Sequence, residues 1–103
     1  APRHNTRLTF YVNITEAGRY FVRIVCSNGS SATAIRTLGI IDSTGIDRPT
    51  GILVSPTVRE ADWITTAPSS WAEAELTEGP NRLSLTYMTG TVLLNRIELI
   101  RRK

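Results

Sequence analysis

The string IIDSTGID, residues 40–47, sets an aspartate at the end of an apolar run and follows it with two hydroxyl residues and a glycine. Aspartic proteases hold a catalytic carboxylate in an apolar-apolar-Asp-Thr/Ser-Gly turn, and the retroviral ones are dimers of chains of similar length. The match breaks in detail, because one residue, Ser43 or Thr44, is extra between Asp42 and Gly45 and no second motif packs behind it. Asp42 and Gly45 therefore read as a turn that closes a strand. Glu73 and Glu75 share a strand face at about 7 Å by strand rise, a separation that invites comparison with glycosidase carboxylates. On a wet face they read as solvated surface groups. His4 is the only histidine and Cys26 the only cysteine, which removes histidine-based triads, multi-histidine metal sites, internal disulfides and cysteine-rich zinc sites. No phosphate-cradling glycine loop is present. No catalytic residue is expected, and recognition is what remains.

Charge and hydropathy narrow the partner. The net charge is +3 with a pI near 9.6, yet the 12 Lys and Arg residues are scattered apart from the terminal Arg101 to Lys103. A basic balance draws nucleic acid when it gathers on one face or interleaves with aromatics. No nucleic-acid partner is expected, and the terminal run reads as a solvated tail. No run of about 18 apolar residues could cross a membrane, and APRHNTRLTF at the start lacks the apolar core of a signal peptide. No membrane partner is expected, and the chain reads as soluble or already processed. The triplets NIT at Asn13 and NGS at Asn28 match the glycosylation sequon.

The elements that must position a site are strands. RLTFYVNIT alternates Leu8, Phe10, Val12 and Ile14 with Thr9, Tyr11 and Asn13, the period of a half-buried strand. EAGRY turns the chain, then Tyr20, Val22, Ile24 and Cys26 alternate with Phe21, Arg23, Val25 and Ser27 before the loop SNGSS, so the two runs read as a hairpin. AIRTLGII, residues 34–41, makes a third strand ended by the loop DSTGIDRPTG. Pro56 confines GILVSPTV to an edge or a bend. In WAEAEL, Ala72, Ala74 and Leu76 form a small apolar face opposite Trp71, Glu73 and Glu75. Thr77 to Pro80 turn the chain into a strand with Leu83, Leu85 and Tyr87 inward. TVLLNRIELI closes the chain with Leu93, Ile97 and Leu99 in one parity; Asn95 interrupts them, as a satisfied inward amide or beside a bulge. VREADWI offers a turn or so of helix and nothing longer. This pattern predicts an all-β antiparallel sandwich, a single domain over residues 1–103 with residues 1–5 as a disordered arm.

The order of VNITEAGRYFVRIVCSNGSSATAIRTLGIID, DWITTAPSSWAEAELTEGPNRLSL and LLNRIELI resembles the galactose-binding-like jelly roll of carbohydrate-binding module families 6 and 35. Ala17, Gly18 and Tyr20 match its aG.Y turn. Leu76, Gly79, Asn81, Leu83 and Leu85 match its L..G.N.i.L hairpin, and Ile97, Glu98 and Leu99 its closing strand. The resemblance implies a noncatalytic carbohydrate-binding module, the C-terminal accessory domain of an extracellular or periplasmic glycoside hydrolase or related polysaccharide-degrading enzyme. Its partners would be a polysaccharide or oligosaccharide and the attached catalytic domain. The alternative is a sandwich that braces a catalytic domain and binds no sugar. Three departures stand out. The family begins with another strand or two whose acidic residues help hold a structural calcium; a chain that starts after them exposes a sheet edge, which predicts strand addition, a dimer or aggregation. Asn95 replaces the family's closing aspartate, another calcium ligand, which removes a charge from a hard-cation site. No cofactor or metal is expected. Leu93 stands where the family's usual cleft has a ligand-binding asparagine.

A pyranose has an apolar C–H face that packs on an indole and a polar rim that needs amide, carboxylate or guanidinium partners. Trp63, which follows READ in a loop, and Trp71, of outward parity, are the candidate platforms; each could instead cap the core. Asn95 and Arg36 could add polar contacts, with inward or sheet-face structural roles as the other reading, and Tyr87 reads as core.

Overall fold

Alternation becomes strand in eight segments of the computed structural model, which describes residues 7–102; the arm expected over residues 1–5, His4 included, lies outside the described residues. They are β1 (Arg7–Ile14), β2 (Gly18–Ser27), β3 (Ala34–Ile41), β4 (Asp47–Ser55), β5 (Ala67–Pro68), β6 (Ala72–Leu76), β7 (Gly79–Thr89) and β8 (Leu93–Arg101). One sheet runs β1-β7-β3-β4. In the other, β8 lines one edge of β2 while β5 and β6 share the opposite edge. All pairings are antiparallel, and β4 lies over β6 across the sandwich. The all-β jelly-roll sandwich is the architecture expected.

Several local expectations fail. β1 and β2 do not form a hairpin: β1 pairs with β7 and β2 with β5, β6 and β8, so the EAG corner carries the chain from one sheet to the other. Tyr20 pins that corner, its hydroxyl donating to the Glu16 carbonyl at 2.7 Å. The segment after Leu76 likewise crosses between sheets. There Asn81, nearly buried, accepts from the Thr77 N–H at 3.1 Å and donates to the Thr77 and Gly79 carbonyls at 2.8 and 3.0 Å. The loop DSTGIDRPTG is also shorter than expected, because β4 already begins at Asp47. Pro49 is accommodated there because β4 is an edge strand and the ladder shifts register beside it, between Leu38 and Gly39.

The core joins both inner faces. Tyr20, Val22, Ile24 and Cys26 of β2 are all buried, as their parity predicts, and meet Leu38, Leu53, Leu76, Leu83 and Leu85. Each such leucine contributes about 1.5–3 kcal/mol by burial. Beneath the end of β2, the Cys26 thiol donates to Ser55 Oγ at 3.4 Å. On β8 the register shifts between Val25 and Cys26, which pair with Arg96 and Leu94 and leave Asn95 as the extra residue of a bulge. Leu94 therefore takes the inward position expected of Leu93, which is 53% exposed. Tyr87, read as core, is only half-buried.

Candidate functional site

Register collects three loops at one end of the sandwich. The pairings Ser27 with Leu93, Ala34 with Ser55 and Ile35 with Thr89 bring together the segments 28–33, 56–66 and 90–92. Asn28, with no exposed surface, ties the first two. Its Nδ2 donates to the carbonyls of Ala32 (3.0 Å) and Ser55 (2.9 Å), and its Oδ1 accepts from the Ser30 N–H (3.0 Å) and hydroxyl (2.6 Å). Loop 56–66 then lies across this turn: the N–H of Val58 donates to the Asn28 carbonyl at 3.0 Å, and that of Ala61 to the Gly29 carbonyl at 2.7 Å. Gly29 permits the approach, since a Cβ there would sit 2.7 Å from the Asp62 carbonyl oxygen and 2.8 Å from Trp63 Cε2. The segment VREADWI makes a turn closed by the Asp62 N–H on the Arg59 carbonyl at 3.0 Å, and no helix.

Trp63 thus rests its indole on the Gly29 backbone and remains 37% exposed. Around it a shallow pocket is lined by Arg59, Glu60, Asp62, Ile64 and Thr65. The Asp62 carboxylate accepts from the N–H groups of Thr65 and Ile64, both at 2.9 Å, and from the Thr65 hydroxyl at 2.7 Å. These bonds, the Thr65 N–H foremost, hold its pKa down at about 2. An aromatic plane flanked by a guanidinium and carboxylates suits a polyol with an apolar face.

The structure does not gather the three predicted site residues into one cluster. Trp71, 43% exposed, stands on the outer face of the β2 sheet, with its ring centroid 6.3 Å from that of Phe21 and edge-on to it. The Arg23 guanidinium covers one face at 4.2 Å from the centroid and is itself held by Glu98 at 2.7 Å. Asn95 is exposed in the β8 bulge, across β2 from the β6 edge that Trp71 precedes, and its Oδ1 accepts from Arg96 at 2.9 Å. Asn95 beside that guanidinium offers a hard cation no negative charge, and among the described residues no group of three or more His, Cys, Asp or Glu could hold a metal. The residues present do not fit the family's calcium.

Other candidates resolve into structure. Arg36 donates to the carbonyls of Ile35, Thr89 and Gly90 at 3.0, 2.9 and 3.1 Å and lies over Tyr87, tying β3 to loop 90–92. Asp42 accepts from the Thr44 hydroxyl and N–H at 2.5 and 2.9 Å and from the Ile46 N–H at 3.1 Å. Its pKa is held at about 2, chiefly by the Thr44 hydroxyl, the opposite of what a general acid needs. Glu73 and Glu75 pair with Arg19 at 3.3 and 3.2 Å on the surface. Asn28 is sealed against glycosylation in the folded state, whereas Asn13 is exposed.

Sequence reasoning missed a polar groove on the outer face of the four-stranded sheet. There Asp47 accepts from Ser84 Oγ at 2.9 Å and pairs with Arg7 at 3.1 Å, and Thr37 and Thr86 stand beside them. Gly39 is its floor: a Cβ there would overlap Asp47 Oδ1 and lie 2.6 Å from Ser84 Oγ. A lone glycine inside a strand pattern was the available signal of such an approach.

No protein-family model and no curated protein matches the sequence significantly. Solved structures do match. A CBM35, a family 35 carbohydrate-binding module, from Cellvibrio japonicus Abf62 superposes with a TM-score of 0.73 at 20% identity, covering 94% of this chain and 66% of that one. A Xyl-CBM35 in complex with a glucuronic acid containing disaccharide gives 0.75 at 20% identity, covering 94% and 67%. The Arthrobacter globiformis T6 isomalto-dextranase complexed with panose gives 0.74 at 21% identity, covering 92% of this chain and 16% of that enzyme. The chain spans about two thirds of the length of the two family 35 modules, and its fold is the jelly-roll sandwich that they share.

Proposed function

We propose that the chain is a noncatalytic carbohydrate-binding module, an accessory domain of an extracellular or periplasmic polysaccharide-degrading enzyme, with its sugar seat at the loop end around Trp63. The observation that carries this reading is the Trp63 indole, propped on Gly29 and open to solvent beside Arg59, Glu60 and Asp62. Support comes from the shared fold: one matched module is in complex with a sugar acid disaccharide, and another match is an enzyme complexed with panose. A pyranose would lay its C–H face on the indole and turn its hydroxyls toward the charged rim. Because Asn28 and Asp62 already order the loops, binding spends little on arranging them. The module would act by holding an attached catalytic domain near polymer, raising its effective concentration without new bonds being made or broken.

Trp71 favours a second reading for its own surface. Its indole is capped by Arg23 and braced by Phe21 on the outer sheet face, which suits contact with an attached domain better than a sugar ring. The deciding experiment is a tryptophan-fluorescence titration against a panel of plant and microbial polysaccharides, on the parent and on Trp63→Ala and Trp71→Ala. A saturable shift lost in Trp63→Ala and kept in Trp71→Ala is expected. No response from a folded domain to any glycan would transfer the assignment to the domain-bracing role.

A further inference from the structure

At the end of the sandwich opposite these loops, an aromatic ring stands beside a cleft that the Trp63 seat does not use. Tyr11 on β1 is 73% exposed, and the register sets Arg82 of β7 directly across from it. Between the corner after β3 and the crossing from β6 to β7, the cleft is walled by Tyr11, Arg82, Glu75, Thr77 and Ser43, with the partly buried Ile40 contributing apolar surface. Both walls are braced. Asn81 clamps the crossing through Thr77 and Gly79, and Arg82 Nη2 donates to the Asp42 carbonyl at 3.3 Å.

We propose that this cleft is a second carbohydrate subsite, which takes a pyranose unit of a neutral chain with its C–H face on the Tyr11 ring. The proposal rests on the carbohydrate reading above and adds a place for sugar at the far end of the domain. Its walls mix donors and acceptors: Arg82 only donates, the Glu75 carboxylate only accepts, and the hydroxyls of Thr77 and Ser43 do both. Sugar hydroxyls, which each give and take a hydrogen bond, satisfy that mixture. An anion would meet Glu75 and a cation would meet Arg82; Glu75 keeps Arg19 and Arg82 keeps the Asp42 carbonyl as partners, but an apolar ligand would cover their remaining polar positions and offer them nothing. Two subsites at opposite ends would let one domain engage two chains, or two stretches of one chain.

The test is a titration of panose into the nitrogen-labelled full chain, followed by NMR up to the solubility of the sugar. Two sets of shifts are expected, one at the Trp63 indole and one at the amides of Tyr11, Thr77 and Arg82. Tyr11→Ala, at a position exposed enough to leave the fold intact, should weaken the second set about three- to tenfold, and Arg82→Gln should weaken it too. Trp63→Ala should leave it in place. Shifts confined to the Trp63 end overturn the second subsite and leave the proposed function standing. Shifts confined to the Tyr11 end uphold the subsite and remove the loop-end seat. No shifts at either end of the folded protein overturn both.

Discussion

Asn28 shows how much one side chain can decide at the loop end. Every polar atom of its amide is used, and two of the groups it serves, the Ala32 and Ser55 carbonyls, have that amide as a partner at the point where the loops meet. Asn28→Ala is expected to destabilise the domain by about 2–4 kcal/mol, since it deletes several buried bonds and strands their partners; urea unfolding followed by Trp63 fluorescence measures it. Asp62 makes a pH prediction. Its folded pKa of about 2 lies below the unfolded value of 3.8, so its contribution is complete above about pH 4 and is lost as pH falls toward 2. Trp63 emission should change with a midpoint near that value, and Asp62→Asn should remove the step. At this scale the sequence was partly legible. SNGSS announced a turn, and Trp63 and Trp71 announced aromatic surface, but nothing in the string says that Asn28 points inward or that Arg23 lies on Trp71. Polar residues in a loop are expected to face water, and the partners that Asn28 finds in its own turn and at the end of β4 overturn that expectation.

Strands were legible as strands because alternation reports which residues share a face; it is silent about the neighbouring strand. That is why β2 and β6 came out with the right inner faces while β1 and β2 were wrongly joined. Sequence neighbours usually pair, but a jelly roll sends consecutive strands to opposite sheets, and the EAG corner carries no residue that distinguishes the two routes. The bulge in β8 was legible as an interruption at Asn95, and the structure decides between the inward amide and the extra residue in favour of the latter. A deletion follows as a test. Removing Asn95 leaves Arg96 opposite Val25 and Leu94 opposite Cys26, so Leu94 stays inward. The shortened chain is expected to fold with its stability changed by less than about 1 kcal/mol, by thermal unfolding. Were Asn95 in the regular ladder, the same deletion would turn Leu94 to solvent and unfold the strand.

For the molecule as a whole, the two sheets close well on one side and poorly on the other. β4 covers β6, whereas Phe10 and Val12 of β1 and Leu94, Ile97 and Leu99 of β8 line the opposite side only partly buried, each on a strand with one edge unpaired among the described residues. Such edges invite further pairing. Sedimentation velocity of the 103-residue chain is expected to show concentration-dependent association, reduced by Leu99→Lys; a strictly monomeric species across the range would mean that side chains alone shield the edges. The overall class was readable from turn spacing and the absence of helical period, while which strands lie at the sheet edges needed the strand order. The buried Cys26 gives this molecule a chemical clock. A thiol 1% exposed beneath the Asn28 hub is shut off from a water-soluble disulfide reagent until the sandwich opens. Its labelling rate therefore times the opening. A sugar seated on Trp63 would slow that clock in proportion to its occupancy, and one bound only at the far end would reveal whether the two ends open as one body.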